Sequence, residues 1–195
     1  YDNYELPAKL EYLIKFVKEL NINGLKVLIW SNFIDTIKLI SNIINKEDIK
    51  AEKIIGSVPS EKENLDNNVL TREKIISNFL DGDIDVLIAN PAACAESISL
   101  HKNCFHAIYY DLSYNLAQYL QSIDRIHRVG GSEEKTANYY FLQYTNTVEY
   151  KIKKNLDKKK KRMYDIIEKD FSIYDLYMSE EDDIDEIREI KEIVE

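Results

Sequence analysis

Residues 26–57 read KVLIWSNFIDTIKLISNIINKEDIKAEKIIGS, and this stretch decides the fold class. It opens with a short apolar run, KVLIW (26–30), of the type found in fully buried strands. Residues 33–45 then carry apolar side chains at helical spacing, and a second strand is predicted at 51–55, before Gly56. A strand, a helix and another strand in so short a stretch predict two parallel strands joined by a crossover helix.

The same alternation extends in both directions along the chain. A helix is predicted at 5–20, a loop at 57–70, further helices at 72–80, 115–128 and 147–168, and further strands at 85–89, 106–111 and 136–144. The sequence therefore predicts an α/β fold with three layers (α/β/α), a mostly parallel sheet and additional C-terminal helices. Ligands of such sheets bind beyond the carboxyl ends of the strands. Those ends are predicted at Ser31-Asn32, Gly56-Ser57, Asn90-Pro91, Asp111-Leu112 and Tyr144-Thr145.

The charge is distributed unevenly. The chain has 26 basic and 35 acidic residues, a formal net charge of −9. Residues 170–195 hold 11 of the acids and 2 of the bases, which leaves 24 of each in the first 169 residues. We expect a domain at 1–168 and an acidic helical tail at 169–195. Because a neutral domain can still carry a basic groove, the net charge does not exclude a nucleic-acid partner.

The composition limits the possible environments of the protein. A hydrophobic fraction of 45% is that of a folded globular chain. No apolar run approaches the roughly 18–20 residues that cross a bilayer, so no membrane partner is expected. Two cysteines, Cys94 and Cys104, are too few for a disulfide framework and indicate a reducing, cytoplasmic location. Their spacing to His101 and His106 matches no common zinc pattern, and no metal ligand is predicted.

A second stretch, LAQYLQSIDRIHRVGG (116–131), holds two of the five arginines in a chain with 21 lysines. On a continuous helix, Gln121, Arg125 and Arg128 would share one face. One interpretation is a solvated helix in which Asp124 pairs with Arg128. The other is a pair of arginine fingers, planar guanidinium groups that reach a γ-phosphate across an interface.

Five blocks of the sequence, in order over about residues 5–165, resemble the Swi/Snf-type branch of the superfamily-two helicases. The most specific is QSIDRIHRVGG (121–131), which resembles the last signature block of that branch, Q-x-x-D-R-x-H-R-[IV]-G. The others are KVLIWSNF (26–33), IIGSVP with TREKIISNF (54–59 and 71–79), DVLIANPAACAESISL with AIYYDLSYN (85–100 and 107–115), and TANYYFLQYTNTVEYKI (136–152).

The resemblance implies that the chain is a second RecA-like motor lobe of a DNA-dependent ATPase or translocase. ATP and Mg²⁺ would be held mainly by a first RecA-like lobe upstream. The sequence contains no G-x-x-x-x-G-K-[ST] phosphate loop, so this chain alone is expected to hydrolyse nothing. The chain starts at Tyr1 and is expected to be a piece of a longer one. The implied catalytic residues are Gln121, Arg125 and Arg128, and the implied nucleotide contacts are Ser97, Ser99 and Asp124.

The resemblance also implies contacts with the phosphates of DNA, expected to be duplex, through backbone N–H groups and hydroxyls. The positions are Ser31, Asn32, Gly56, Ser57, Asn90 and Pro91; ordinary turn chemistry is the alternative explanation for these residue types. Residues 93–99 (ACAESIS) replace the glycine-rich turn of the family, which indicates a divergent bacterial or viral branch.

Several alternatives remain open at this point. The chain could be a non-catalytic RecA-like module that docks nucleic acid or protein, or part of a strand-separating helicase. The basic run 158–162 could be a solvated face or a phosphate contact. Isoleucines at three-residue intervals from 184 to 193 predict a narrow amphipathic helix in the acidic tail.

Overall fold

The computed structural model describes residues 5–61, 69–94, 99–127 and 136–177, with side chains described as far as residue 167. The chain divides into two compact units, Tyr1–Lys153 and Lys154–Glu195. In chain order the elements are α1 (Ala8–Ile22), β1 (Val27–Trp30), α2 (Ile34–Lys46), β2 (Ala51–Ile54), α3 (Arg72–Asp81), β3 (Val86–Ala89), β4 (His106–Tyr109), α4 (Leu116–Ile123), β5 (Asn138–Phe141) and α5 (Val148–Tyr177).

The five strands form one sheet in the order β2-β3-β1-β4-β5, and all four pairings are parallel. The register is simple, because Val27 of β1 lies between Val86 of β3 and His106 of β4. All four residues of β1 and of β3 are buried, which explains why these strands are continuous apolar runs. The predicted α/β class with a parallel sheet is confirmed.

Helices cover both faces of the sheet. Alternate strand residues, among them Val27 and Ile29, share a buried cluster with α1 and α2. The residues between them, such as Leu28 and Trp30, are equally buried and belong to the opposite face. The crossover from β1 to β2 runs across the sheet in one direction, and those from β2 to β3 and from β4 to β5 run in the other. Right-handed crossovers therefore place α3 and α4 on the face opposite α2.

One helix ends earlier than the sequence predicts. The prediction of a helix at 115–128 is wrong at its C-terminal end, because α4 stops at Ile123 and residues 124–126 form a turn. Beyond Ile123 the N–H groups of Arg125 and Ile126 bond three residues back, to Ser122 and Ile123. This tighter turn buries Ile126, which is 2% exposed. Gln121 and Arg125 therefore do not share a face of one α-helix.

The strands are also shorter than predicted at 106–111 and 136–144, although the ladder extends one bond further. The N–H of Tyr110 bonds the Trp30 carbonyl at 2.9 Å, and the N–H of Leu142 bonds the Tyr109 carbonyl at 3.0 Å. The tail prediction at 169–195 stays a prediction, since residues 178–195 lie outside the described ones. In the described part of the chain, no helix is both long and apolar enough to cross a bilayer.

Candidate functional site

Asp111 organises the carboxyl ends of two neighbouring strands. It follows β4, and its carboxylate accepts the Ser31 hydroxyl at 2.5 Å and the Asn32 backbone N–H at 2.7 Å. The Asn32 side-chain amide donates to the same carboxylate at 2.8 Å. Ser31 is fully buried, so its hydroxyl serves this internal contact. Hydrogen bonds to an ionised acceptor are the stronger kind, and this set fixes the turn that follows β1.

Asn90 connects a third strand end to this group. Its side-chain amide donates to the Asn32 carbonyl at 2.9 Å, while its side-chain oxygen accepts the Ala92 N–H at 2.8 Å. The Asn90 carbonyl in turn accepts the N–H groups of Ala93 and Cys94 at 3.1 and 3.2 Å. The ends of β4, β1 and β3 are thus joined by side chains, and Pro91 lies in the turn that Asn90 closes.

Arg72, the first residue of α3, connects the fourth strand end. Its guanidinium donates to the carbonyls of Val58 at 2.7 Å, Gly56 at 3.1 Å and Ala93 at 3.4 Å. The first two belong to the turn after β2 and the third to the turn after β3. A planar guanidinium can serve several acceptors in fixed directions, which an ammonium group cannot do.

Hydrogen bonds to two backbone carbonyls fix the turn that follows α4. The Tyr139 hydroxyl of β5 donates to the Ile123 carbonyl at 2.8 Å, and the Leu100 N–H donates to the Arg125 carbonyl at 2.9 Å. One turn earlier, the Ser122 hydroxyl lies 2.7 Å from both the Tyr109 hydroxyl and the Tyr119 carbonyl. Burial raises the pKa of the Tyr139 and Tyr109 hydroxyls, so both stay protonated at neutral pH.

The structure places four of the six predicted nucleotide-site residues. Gln121 and Asp124 are exposed, and Arg125 is partly exposed. The hydroxyl of Ser99 lies 2.8 Å from Nδ1 of His101. Ser99 and Arg125 belong to segments that the Leu100–Arg125 hydrogen bond joins directly. Arg128 and Ser97 lie outside the described residues.

Burial and two arginines influence the pKa of the Cys94 thiol. Burial raises its pKa to about 12, while the charges of Arg72 and Arg125 act in the opposite direction. Both guanidinium groups are therefore close enough to Cys94 to influence it. Arg72 also contacts the turn after β3 directly, since its guanidinium donates to the Ala93 carbonyl.

The start of α2 offers N–H groups at the same edge of the sheet. Its N-cap residue is Phe33, whose side chain has no atom that can accept a hydrogen bond. Phe33 is 65% exposed and follows Asn32 directly. A shallow, solvent-open cleft adjoins this position, lined by Asn32, Pro91, Tyr109, Asp111, Leu112, Ser113, Gln118, Tyr119 and Ser122. Helix N-termini attract anions, so the edge suits phosphate groups.

The residues predicted to contact nucleic acid lie at this edge of the sheet, and they differ in solvent exposure. Gly56 and Ser57 are exposed, and Asn32, Asn90 and Pro91 are partly exposed, whereas Ser31 is buried. Sequence reasoning missed Asp111 and Arg72 as the residues that hold the turns together. The signal for Arg72 was present, because it is another of only five arginines in a lysine-rich chain.

The four residues with superficial resemblance to zinc ligands have other contacts. The Cys104 thiol is 3.6 Å from the carbonyls of Lys26 and His106, and burial raises its pKa to about 12. Nδ1 of His106 is 3.1 Å from the Tyr140 hydroxyl, and burial lowers the pKa of this histidine. Among the residues that the structure describes, no group of three or more potential ligands could hold a metal ion.

Known proteins resemble this chain over most of its length. The family described as "Helicase conserved C-terminal domain" matches residues 8–130. SNF2 domain-containing protein CLASSY 4 of Arabidopsis thaliana is 31% identical over 150 residues, 75% of this chain and 12% of that protein. The uncharacterized ATP-dependent helicase YqhH of Bacillus subtilis is 42% identical over 84 residues, 43% of this chain and 14% of that protein.

The fold resembles that of a solved part of an ATPase domain. The crystal structure of the C-terminal part of the Fun30 ATPase domain superposes with a TM-score of 0.66 at 26% identity, covering 80% of this chain and 47% of that one. The chain therefore has a RecA-like fold, and it spans only a small part of its curated relatives. Its sequence match and its fold together show that the chain belongs to the family of helicase conserved C-terminal domains, with relatives of the Swi/Snf type.

Proposed function

We propose that this chain is the second motor lobe of a nucleic-acid-dependent ATPase of translocase type, acting within a longer protein. The Leu100–Arg125 hydrogen bond supports this proposal most directly, because it brings two segments with implied nucleotide contacts side by side. A second hydrogen bond, from the Tyr139 hydroxyl to the Ile123 carbonyl, holds the end of the helix that precedes Arg125.

ATP would be bound between this lobe and a first lobe that carries the phosphate loop and most of the Mg²⁺ contacts. The residues present suit a polyphosphate, since Arg125 and the exposed Gln121 offer donors, and the Asp124 carboxylate and the Ser99 hydroxyl suit sugar hydroxyls. Arg125 and Arg128 would stabilise the charge that develops on the transferred phosphoryl group, and Gln121 would help to align them. Bound ATP and Mg²⁺ supply the phosphoryl chemistry.

Nucleic acid, in our proposal duplex DNA, would bind across the carboxyl ends of β1, β2 and β3. The side chains of Ser31, Asn32 and Asn90 are engaged inside the protein, so they would shape the turns rather than contact phosphate. The N–H groups at the start of α2 and the exposed Gly56-Ser57 turn would contact the phosphates. Such contacts position a backbone and carry no sequence information.

A substitution at Ser57 tests this contact in the chain itself. Ser57→Asp places a negative charge on an exposed turn without removing a hydrogen bond of the described network. The control, Asn42→Asp, adds the same charge to the second half of α2, which runs back toward the opposite edge of the sheet. We expect Ser57→Asp to weaken binding to a fluorescent DNA duplex at least about fivefold, with Asn42→Asp close to wild type. Equal affinities would contradict the strand-end contact.

A non-catalytic docking module is the second candidate. It would keep the RecA-like fold and its contacts while the longer protein lacked nucleic-acid-stimulated hydrolysis. The exposed Gln121 and the partly exposed Arg125 favour the motor over this alternative, because a docking module would not need phosphate-binding donors at this position. A divergent bacterial or viral branch stays part of the proposal; the 42% identity over 84 residues to the Bacillus subtilis helicase favours it, whereas relatives such as CLASSY 4 of Arabidopsis thaliana are eukaryotic.

A further inference from the structure

The second half of the molecule carries a concentrated basic segment on α5. Between Lys154 and Arg162 there are six basic residues and one acid, Asp157. This segment is helical throughout and belongs to the unit Lys154–Glu195. None of the contacts described above for the nucleotide or nucleic-acid residues involves it.

The basic residues are ordered around the helix. At about 100° per residue, Lys154, Lys158, Lys161 and Arg162 fall within an arc of roughly 100° over just more than two turns. We call these four residues the α5 basic stripe. The side of the helix away from the stripe carries Leu156, which is 1% exposed, and the partly exposed Lys160 and Met163. The stripe therefore lies on the side of α5 opposite the buried Leu156.

The charges of the stripe are only partly compensated along the helix, where Asp157 and Asp165 lie one turn to either side of Lys161. All four side chains are exposed, and none forms an ion pair with another described residue. Lys158 has like-charged neighbours at the helical spacings of three and four residues, namely Lys154, Lys161 and Arg162. Such pairs destabilise a helix. A bound polyanion would relieve this repulsion.

We propose that the α5 basic stripe binds the phosphate backbone of a nucleic acid, as a contact surface additional to the strand ends. The stripe extends about 12 Å along the helix, the axial length of three to four successive phosphates of one strand. Lysine, a flexible point charge, suits phosphate contacts without sequence information. A protein partner would call for an apolar or aromatic centre, and the described residues within the arc supply none. The inference does not depend on the role of Arg125 in ATP hydrolysis.

The test uses the full chain, a fluorescent DNA duplex and a series of salt concentrations. The stripe variant is Lys154→Gln with Lys158→Gln and Lys161→Gln. The matched control removes the same charge from three exposed lysines elsewhere, as Lys15→Gln, Lys46→Gln and Lys50→Gln. Each lost phosphate contact should reduce the slope of log affinity against log salt by about 0.9. We expect a reduction of about 2–3 for the stripe variant and less than about 1 for the control, with affinity at low salt at least about tenfold weaker.

The outcomes separate this inference from the strand-end contact. Equal slopes for the stripe and control variants would overturn it, even if Ser57→Asp weakened binding. The inference would stand, and the strand-end contact would not, if the stripe variant weakened binding and Ser57→Asp did not. If the stripe variant bound DNA like the control but had a different unfolding temperature, the stripe would interact with acidic residues of the same chain. That result would also overturn the inference.

Discussion

Asn32 and Asp111 are joined twice, since the backbone N–H and the side-chain amide of Asn32 both donate to the Asp111 carboxylate, at 2.7 and 2.8 Å. One residue follows β1 and the other follows β4, so this contact fixes two neighbouring strand ends against each other. The proposed phosphate-binding turn therefore depends on a residue that itself would touch no phosphate.

The first prediction concerns Asp111. Asp111→Asn keeps the shape but replaces one acceptor oxygen with a donor, so the hydroxyl of Ser31 and the N–H of Asn32 can no longer both be satisfied. We expect the free energy of unfolding in urea to fall by about 1–3 kcal/mol. Asp83→Asn, at an exposed position, should stay within about 0.5 kcal/mol of wild type. A loss no larger than that of the control would show that the network contributes little.

The second prediction concerns Arg72. Arg72→Lys keeps the charge but cannot reach the carbonyls of Gly56, Val58 and Ala93 together. We expect a loss of about 1–3 kcal/mol and faster amide exchange in both turns that it connects. Arg162→Lys makes the same chemical change at an exposed site and should be close to neutral. Unchanged exchange in both turns would contradict the bridging role.

The third prediction concerns Tyr139. Tyr139→Phe removes the hydroxyl that donates to Ile123 and leaves the ring in place. We expect a stability loss of about 0.5–1.5 kcal/mol. In the longer protein, we expect a reduction in ATP turnover that exceeds the change in DNA affinity. Tyr12→Phe, on an exposed ring, is the control. If turnover equalled that of the control, the hydroxyl would not help to position Arg125.

The fourth prediction concerns the buried thiols. Burial raises the pKa of Cys94 and Cys104 to about 12, above the value of about 8.5 in an unfolded chain. The unfolded state therefore loses these protons first as the pH rises. The corresponding stability is present below about pH 8.5 and is lost progressively toward pH 12. Iodoacetamide should alkylate the native chain at pH 9 at least about 100-fold more slowly than the urea-unfolded chain. Comparable rates would mean that the thiols are accessible.

The order of strands and helices could be predicted because each element carries its own periodicity. KVLIW and DVLIA become β1 and β3, whose four residues are all buried between two helical layers. The end of α4 could not be predicted in this way, because contacts distant in sequence determine it. The Leu100 N–H donates to the Arg125 carbonyl, and the Tyr139 hydroxyl donates to the Ile123 carbonyl. No local sequence pattern predicts either donor.

The sequence predicted which residues belong to the candidate site better than it predicted the hydrogen bonds that they form. Residue types at strand ends indicated Asn32, Gly56 and Asn90, but not that the Asn90 side chain would donate to the Asn32 carbonyl. The scarcity of arginine drew attention to Arg125, and the same argument applies to Arg72. The role of Arg72 could not be predicted, because every residue has a backbone carbonyl and the sequence does not show which carbonyls will accept a hydrogen bond from it.

The central claim is that Arg125 acts on ATP from this lobe. The most direct measurement is ATP hydrolysis by the longer protein, with and without duplex DNA, for wild type, Arg125→Ala and the exposed control Lys46→Ala. The backbone bond from Leu100 survives in Arg125→Ala, so the fold and DNA affinity should be kept. We predict that DNA-stimulated turnover falls by roughly 10³–10⁵-fold in Arg125→Ala alone. Turnover within a few-fold of wild type, or no stimulation of the wild type by DNA, would contradict the motor-lobe account.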